Sequence, residues 1–133
     1  LEEVINLKPI ILLYNVKEEK YNRMKPVLGL MGIKVKLVDN GSLGDKVEYI
    51  AWPEEYANEK EPAVLYSNDI DFEFMILCGL SKSDLDKVLN FMKKNKISIS
   101  AKAMLTDTNR RWSFIKLIHE IDAERKAISG KNI

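Results

Sequence analysis

Two hydrophobic rhythms alternate along this chain. The run Ile10-Ile11-Leu12-Leu13-Tyr14, set between Pro9 and Asn15, predicts a short strand buried on both faces. Across residues 17–31, Tyr21, Met24, Leu28 and Met31 recur three or four apart, which places them on one face of a helix. Gly32 stands just past that helix, where a glycine closes it. Ile33, Val35 and Leu37 then alternate with Lys34 and Lys36, the pattern of a half-buried strand.

The same order returns 64 residues later. Phe74-Met75-Ile76-Leu77-Cys78 is a second buried strand, Leu85, Val88 and Met92 repeat the helical spacing, and Ile97, Ile99 and Ala101 alternate with Ser98, Ser100 and Lys102. The register holds without a gap from 10 to 37, yet only Leu13/Leu77 and Ile33/Ile97 are identical there. Either an internal duplication or the general likeness of any two β-α-β units accounts for this. Ser81-Lys82-Ser83-Asp84 fits a capping box at the start of the second helix, with Leu80 and Leu85 placed as a hydrophobic staple. Lys17 holds the corresponding position in the first helix and cannot accept a hydrogen bond, so that end is expected to fray.

Between the two units, Ser42-Leu43-Gly44-Asp45 is another capping-box pattern, and Leu43, Val47 and Ile50 form a short helical stripe that Trp52-Pro53 stops. Residues 53–62 read as an acidic, proline-bounded loop and Ala63-Val64-Leu65-Tyr66 as a short strand. A last helix is expected from about 109 to 127, with Trp112, Ile115, Ile118 and Ile121 near one face, before a tail at 129–132. The layout is a single domain, 1–133, with pseudo-repeats at about 9–51 and 73–127 joined by the acidic segment 53–72. The first and third strands are apolar at both parities and the second and fourth at one, so the former belong inside a sheet and the latter at its edges. That predicts an α/β (α+β) fold: a ferredoxin-like, duplicated β-α-β arrangement with a four-stranded sheet in the order 4-1-3-2. The two main helices would cover one face, and the short inserted helix and long C-terminal helix the other. A doubly wound parallel sheet is the alternative. A receiver-like fold fits less well, because the six residues Ser67 to Phe72 are too few for a parallel crossover between 63–66 and the next strand.

Composition changes this picture little. With 46% hydrophobic and 31% charged residues the chain can build a core, and its 133 residues suffice for one domain. A net charge of +1 gives no generic attraction to nucleic acid or anionic lipid, so neither nucleic acid nor membrane is expected as a partner. The longest apolar run is too short to span a bilayer, no secretory pattern opens the chain, and a single cysteine, Cys78, leaves no intrachain disulfide. A cytoplasmic protein is the expectation. The start at Leu1 points to further residues upstream. Charge is uneven: seven acidic residues against one lysine lie between Glu54 and Glu73, and six lysines against two aspartates between Lys82 and Lys102. Such stretches are solvated surface, or else faces of opposite sign that pair between subunits or steer a ligand.

The chemistry-bearing stretch is 102–112, KAMLTDTNRRW. Thr106, Asp107, Thr108 and Asn109 are helix-starting types, and Arg110 and Arg111 follow at once, where a helix dipole disfavours cations. The plain reading is a cap, a core Trp112 and surface arginines. The functional reading is an anion site in which helix N–H groups, the hydroxyls of Thr106 and Thr108 and two guanidiniums hold a phosphate or carboxylate. Cys78 reads as a small core residue. His119, the only histidine, has no implied pairing with it, and one Cys with one His makes a poor zinc site. Asp69, Asp71 and Glu73 alternate and would share a strand face, as edge charges or as ligands of a hard cation. Phe72 and Phe74 resemble base-stacking aromatics of RNA-recognition sheets, but the basic and glycine residues of that motif are missing. No phosphate loop, dinucleotide fingerprint or nucleophile elbow is present.

The pattern Lys102-Ala103-x-Leu105-Thr106-x-Thr108-Asn109-x-x-Trp112 resembles the signature of a small bacterial family, the domain of unknown function 3783. The resemblance takes in about 73 to 124, and the order of elements in the first half is similar too. Many members have proline where this chain has Asp107, a change of small consequence at a position that only opens a helix. The resemblance implies no catalytic residue, cofactor or metal, and it directs attention to Lys102, Thr106, Asn109 and Trp112. Together these readings predict a binding module with no chemistry of its own. Its site would be Lys102, Thr106, Thr108, Asn109, Arg110 and Arg111. An anionic small molecule or an acidic protein segment would be its partner, and association into a homodimer is expected of such sheets. A protein–protein adaptor acting through the C-terminal helix or the acidic segment is the alternative, ahead of an enzyme or an RNA binder.

Overall fold

In the computed structural model, which describes residues 7–63 and 70–131, the two β-α-β units meet through their first strands. Strand β1 (Ile10–Tyr14), helix α1 (Glu18–Leu30) and strand β2 (Lys34–Val38) form the first unit. Strand β3 (Phe74–Cys78), helix α3 (Lys82–Lys94) and strand β4 (Ala101–Met104) form the second. Between them lies the short helix α2 (Val47–Ala51), and α4 (Phe114–Lys131) closes the chain. The class, the four strands and the long C-terminal helix follow the sequence pattern.

The strand order does not. The sheet runs β2-β1-β3-β4, with β1 parallel to β2, β3 parallel to β4, and β1 antiparallel to β3. This replaces the expected ferredoxin-like order 4-1-3-2, and the antiparallel centre rules out the doubly wound parallel sheet. Apolar patterning separates inner strands from outer ones, as it did here. It carries no information on which outer strand lies beside which inner one. Each 13-residue helix returns its chain to the strand next door, where Lys34 N–H meets Pro9 O at 3.2 Å and Ala101 N–H meets Glu73 O at 3.1 Å.

The two β-α-β units correspond closely in three dimensions. Leu12 pairs with Ile76, its own counterpart 64 residues on, at the centre of the β1–β3 ladder. Left-handed backbone recurs at matching places: Asn15 (φ 60°) with Gly79 (φ 71°), and Gly32 (φ 83°) with Lys96 (φ 55°). Both helices end alike, with Ile33 N–H bonded to Leu28 O at 2.9 Å and Ile97 N–H to Met92 O at 2.8 Å. Past residues 98–100 the offset becomes 67. There Val47 N–H reaches Trp112 O at 3.0 Å while Phe114 N–H reaches Asp45 O at 2.9 Å, on either side of the Lys46–Ser113 bridge. The two halves are thus related by an approximate two-fold axis, and each completes the other's sheet.

Layering follows strand parity. Ile11, Leu13, Met75 and Leu77 pack on Met24 and Leu28 of α1 and Val88 and Met92 of α3. Leu12, Tyr14, Phe74 and Ile76 pack on Val47 and Ile50 of α2 and Phe114, Leu117 and Ile118 of α4. Both faces of the sheet are covered by the helices the sequence assigned to them.

Several local expectations shift. Ile97, Ile99 and Ala101 are buried in alternation, but the ladder starts only at Ala101. Ser81 Oγ accepts Asp84 N–H at 3.1 Å, as its capping pattern requires. Ser42 caps no helix: 40–42 is a 3-10 turn, α2 starts later, and the buried Asp45 carboxylate instead holds Glu61 N–H at 3.0 Å and Lys60 Nζ at 3.2 Å. The last helix begins at Phe114, with Ser113 Oγ accepting Lys116 N–H, and residues 109–111 form a separate 3-10 turn. The helical backbone runs on to Lys131, through most of the stretch expected as a tail. The expected strand at 63–66 falls almost wholly outside the described residues, as does Asp69. Among the described residues no helix is long and apolar enough to cross a membrane.

The uncapped start of α1 is anchored from elsewhere. Glu73 accepts Lys17 N–H at 3.0 Å and pairs with Lys20 Nζ at 2.5 Å. Burial by itself would raise the Glu73 carboxyl, but the bonds from Lys20 and Lys17 outweigh it and hold it below the usual carboxylate range. A depressed folded pKa means that the contribution is complete above the unfolded value, about 4.3, and is lost as pH falls through the folded one. Glu73→Gln is therefore expected to cost about 1–2 kcal/mol at pH 7. Urea midpoints of the two proteins should converge below about pH 4. A gap that stayed constant down to pH 2 would show that Glu73 acts through packing alone.

Candidate functional site

The turn at 106–111 is self-contained. Thr106 N–H donates to Asn109 Oδ1 at 2.8 Å, Asn109 N–H donates to Thr106 Oγ1 at 3.0 Å, and Asn109 Nδ2 ties to Met104 O at 3.0 Å. This is a capping box in miniature, with asparagine in the role of glutamate. Thr106 and Asn109 thus spend their polar groups on each other. Thr108 is exposed and makes no side-chain cap. Lys102 lies on the other side of the sheet, on the face of its neighbour Met75 and helix α3. The structure therefore groups Thr106, Thr108, Asn109, Arg110 and Arg111 in one turn and sets Lys102 apart from them.

The two arginines face a buried acid. Arg110 donates to Tyr56 Oη at 2.7 Å, and the Nε atoms of Arg110 and Arg111 both stand 3.8 Å from Glu48 Oε1. Because 109–111 is a three-residue turn, no long-helix dipole opposes them. Glu48 is only 2% exposed, in the first turn of α2, and its Oε1 has no hydrogen bond, nor has the buried Glu59 Oε2. Burial first, then the nearby Glu59, push the Glu48 carboxyl above its ordinary pKa, while Arg110, Arg111 and Lys46 pull it back. The cluster staples α2, the 53–60 loop and the 109–111 turn together. Sequence reading missed Glu48, because its spacing resembles that of any surface glutamate.

Other candidates separate. Cys78 is fully buried, and burial pushes its thiol up to about 12. His119 is on an exposed part of α4. Asp71 is exposed, Glu73 is committed to α1, and among the described residues no three His, Cys, Asp or Glu side chains gather as a metal site.

A groove runs along the outer edge of β2. Since Lys34 N–H points to β1, the alternate residues Val35 and Leu37 turn their N–H and C=O groups outward, and no described strand pairs with them. The groove, of about 520 Å³, lies between this edge, Tyr21, Lys25 and Gly29 of α1, and Ala51 and Pro53. It adjoins a second hollow of about 300 Å³ that carries Lys8, Gly32 and Trp52, with Glu54 and Glu55 at its end. Ile10, Lys34, Ala51 and Pro53 belong to both. Lys36 Nζ donates to Ile50 O at 3.0 Å, at the C-terminal end of α2, and burial followed by the nearby Lys34 lowers its pKa. Helix α1 breaks its own rules here. Pro26 sits inside it without an N–H to give, and Gly29 stands in its last turn. Of the two only Gly29 lines the groove, and the helical stripe of Tyr21, Met24 and Leu28 hid that signal.

Residues 73–128, which span β3 to most of α4, match the model of a family described as a domain of unknown function (DUF3783). No curated protein and no solved structure matches the chain.

Proposed function

From a chain whose residues 73–128 belong to the DUF3783 family, we propose a binding module that takes an extended acidic peptide segment along the outer edge of β2. One observation carries the reading: β2, an edge strand whose outer side no described strand pairs, runs beside a groove rimmed by Lys25, Lys34 and Lys36, with Lys8 in the adjoining hollow. Strand addition gives such a segment its main-chain hydrogen bonds from Val35 and Leu37, and the lysines select its charge. Lysines on an edge strand also discourage pairing with uncharged strands. Both effects favour an acidic guest. The 106–111 turn then has a structural part, holding Arg110 against Glu48.

The test is fluorescence anisotropy of a labelled Glu-rich pentapeptide with the whole chain, beside a Lys-rich peptide of equal length. Binding of the acidic peptide alone is expected, weakened by salt. Reversing two rim charges in Lys25→Glu/Lys34→Glu should reduce affinity at least about tenfold, each exchange removing an attraction and adding a repulsion. Undiminished binding by that variant would remove the groove from consideration. Loss of binding in Arg110→Ala instead would return the site to the 106–111 turn.

A further inference from the structure

The approximate two-fold axis provides an internal comparison. Groove residues Lys25, Gly29 and Ile33 have Leu89, Lys93 and Ile97 as counterparts 64 positions on, and Val35 has Lys102 at the later offset of 67. Those four counterparts line a hollow of their own beside β4, of about 190 Å³ against about 520 Å³. One fold has thus built the same place twice, and only the β2 side is roomy. At the position where α3 carries the long side chain of Lys93, α1 carries none.

Nothing in the backbone asks for glycine there. Gly29 has no left-handed φ, and a Cβ built on it would meet no atom within 4 Å. Glycine inside a helix is less stable than alanine, so an unforced one that opens a groove has its explanation in the groove. The walls of that space are Tyr21, Ile33, Val35 and the half-exposed Leu37, all apolar in their larger part.

Resting on the strand-addition reading above, we propose that the space opened by Gly29 receives a bulky apolar side chain of the acidic segment. Side chains of an added strand alternate between the two faces of the sheet. Val35 and Leu37 share the α1 face, whereas Lys34 and Lys36 point to the α2 face with Val38. A guest residue on the α1 face enters the space beside Gly29, and its two neighbours fall on the face of Lys34. The segment recognised alternates acidic and large apolar residues, such as Glu-Leu-Glu-Leu-Glu.

Two acetylated, labelled pentapeptides of equal charge test this against the whole chain: Glu-Leu-Glu-Leu-Glu and Glu-Ala-Glu-Ala-Glu. The leucine peptide is expected to bind about tenfold more tightly, the ratio that burying most of one leucine side chain yields. In Gly29→Leu, which fills the space without replacing a lysine, that ratio should fall to near one. Its melting temperature, expected to be unchanged or higher, shows that the variant is folded. Equal affinity of both peptides for the parent chain would overturn the apolar pocket and leave the acidic-segment reading standing. Binding of neither peptide would overturn both.

Discussion

Phe114→Ala is expected to lower the unfolding free energy by about 3–5 kcal/mol, as fully buried aromatic truncations do. Phe114 is 0% exposed and lies against two other rings, with centroids 5.9 Å from Tyr14 and 5.8 Å from Phe74. Those partners come from β1 and β3, the two strands that join the halves. Its backbone N–H also forms half of the reciprocal pair around Lys46 and Ser113. A hole there loosens α4 from the sheet where both halves converge, and the loss is felt by the whole domain as one unit if the halves depend on each other. Equilibrium urea unfolding followed by tryptophan fluorescence and by circular dichroism measures this. Coincident transitions with the stated loss are expected. Two separate transitions in the parent chain would mean that the halves fold independently and that the shared sheet is not what stabilises them.

Arg110→Ala/Arg111→Ala is expected to destabilise the protein by about 3 kcal/mol at pH 7, the low end for stripping a buried charge of its partners. The loss arises at Glu48, which stays buried and loses both cations. Glu48→Gln in the same background removes the orphaned charge and should recover most of the loss, a rescue that mere surface arginines would not show. The pH dependence has a definite sign. The folded pKa of Glu48 is raised, so its ionised form weakens the fold above that pKa, and the penalty disappears as pH falls through it. The deficit of the double variant should therefore narrow on mild acidification, at a higher pH than that at which the Glu73→Gln gap closes, because one carboxyl is raised and the other lowered. Thermal melts at pH 7 and pH 5 decide it. A double variant as stable as the parent at pH 7 would leave the arginines free for a ligand.

The anion site expected at 102–111 shows where sequence reading stops. Thr106 and Asn109 were legible as turn-makers, because a hydroxyl and an amide three residues apart bond within their own segment. What the arginines face was not legible, since Glu48 lies more than sixty positions away and is brought to them by long-range contacts such as the Lys46–Ser113 bridge. Lys102 stands five residues from Asp107 in the chain and on the opposite face of the sheet from Ala101 and Ala103, a separation that strand parity decides once the sheet exists. The groove had a partial signal in Gly29, visible as a helix-breaking type but meaningful only beside an edge with which no described strand pairs.

By itself the sequence determined the four main strands and the main helices to within a few residues, which of those strands lie inside, and which face each helix covers. Those properties follow from the period of apolar residues, and burial imposes that period locally, residue by residue. Only the tertiary structure decided the order β2-β1-β3-β4, the two-fold relation of the halves, the burial of Asp45 and Glu48, and the place of β2 at the edge of the described sheet. Each of these depends on pairings between residues far apart in the chain, and a hydrophobic pattern is satisfied equally well by several such pairings.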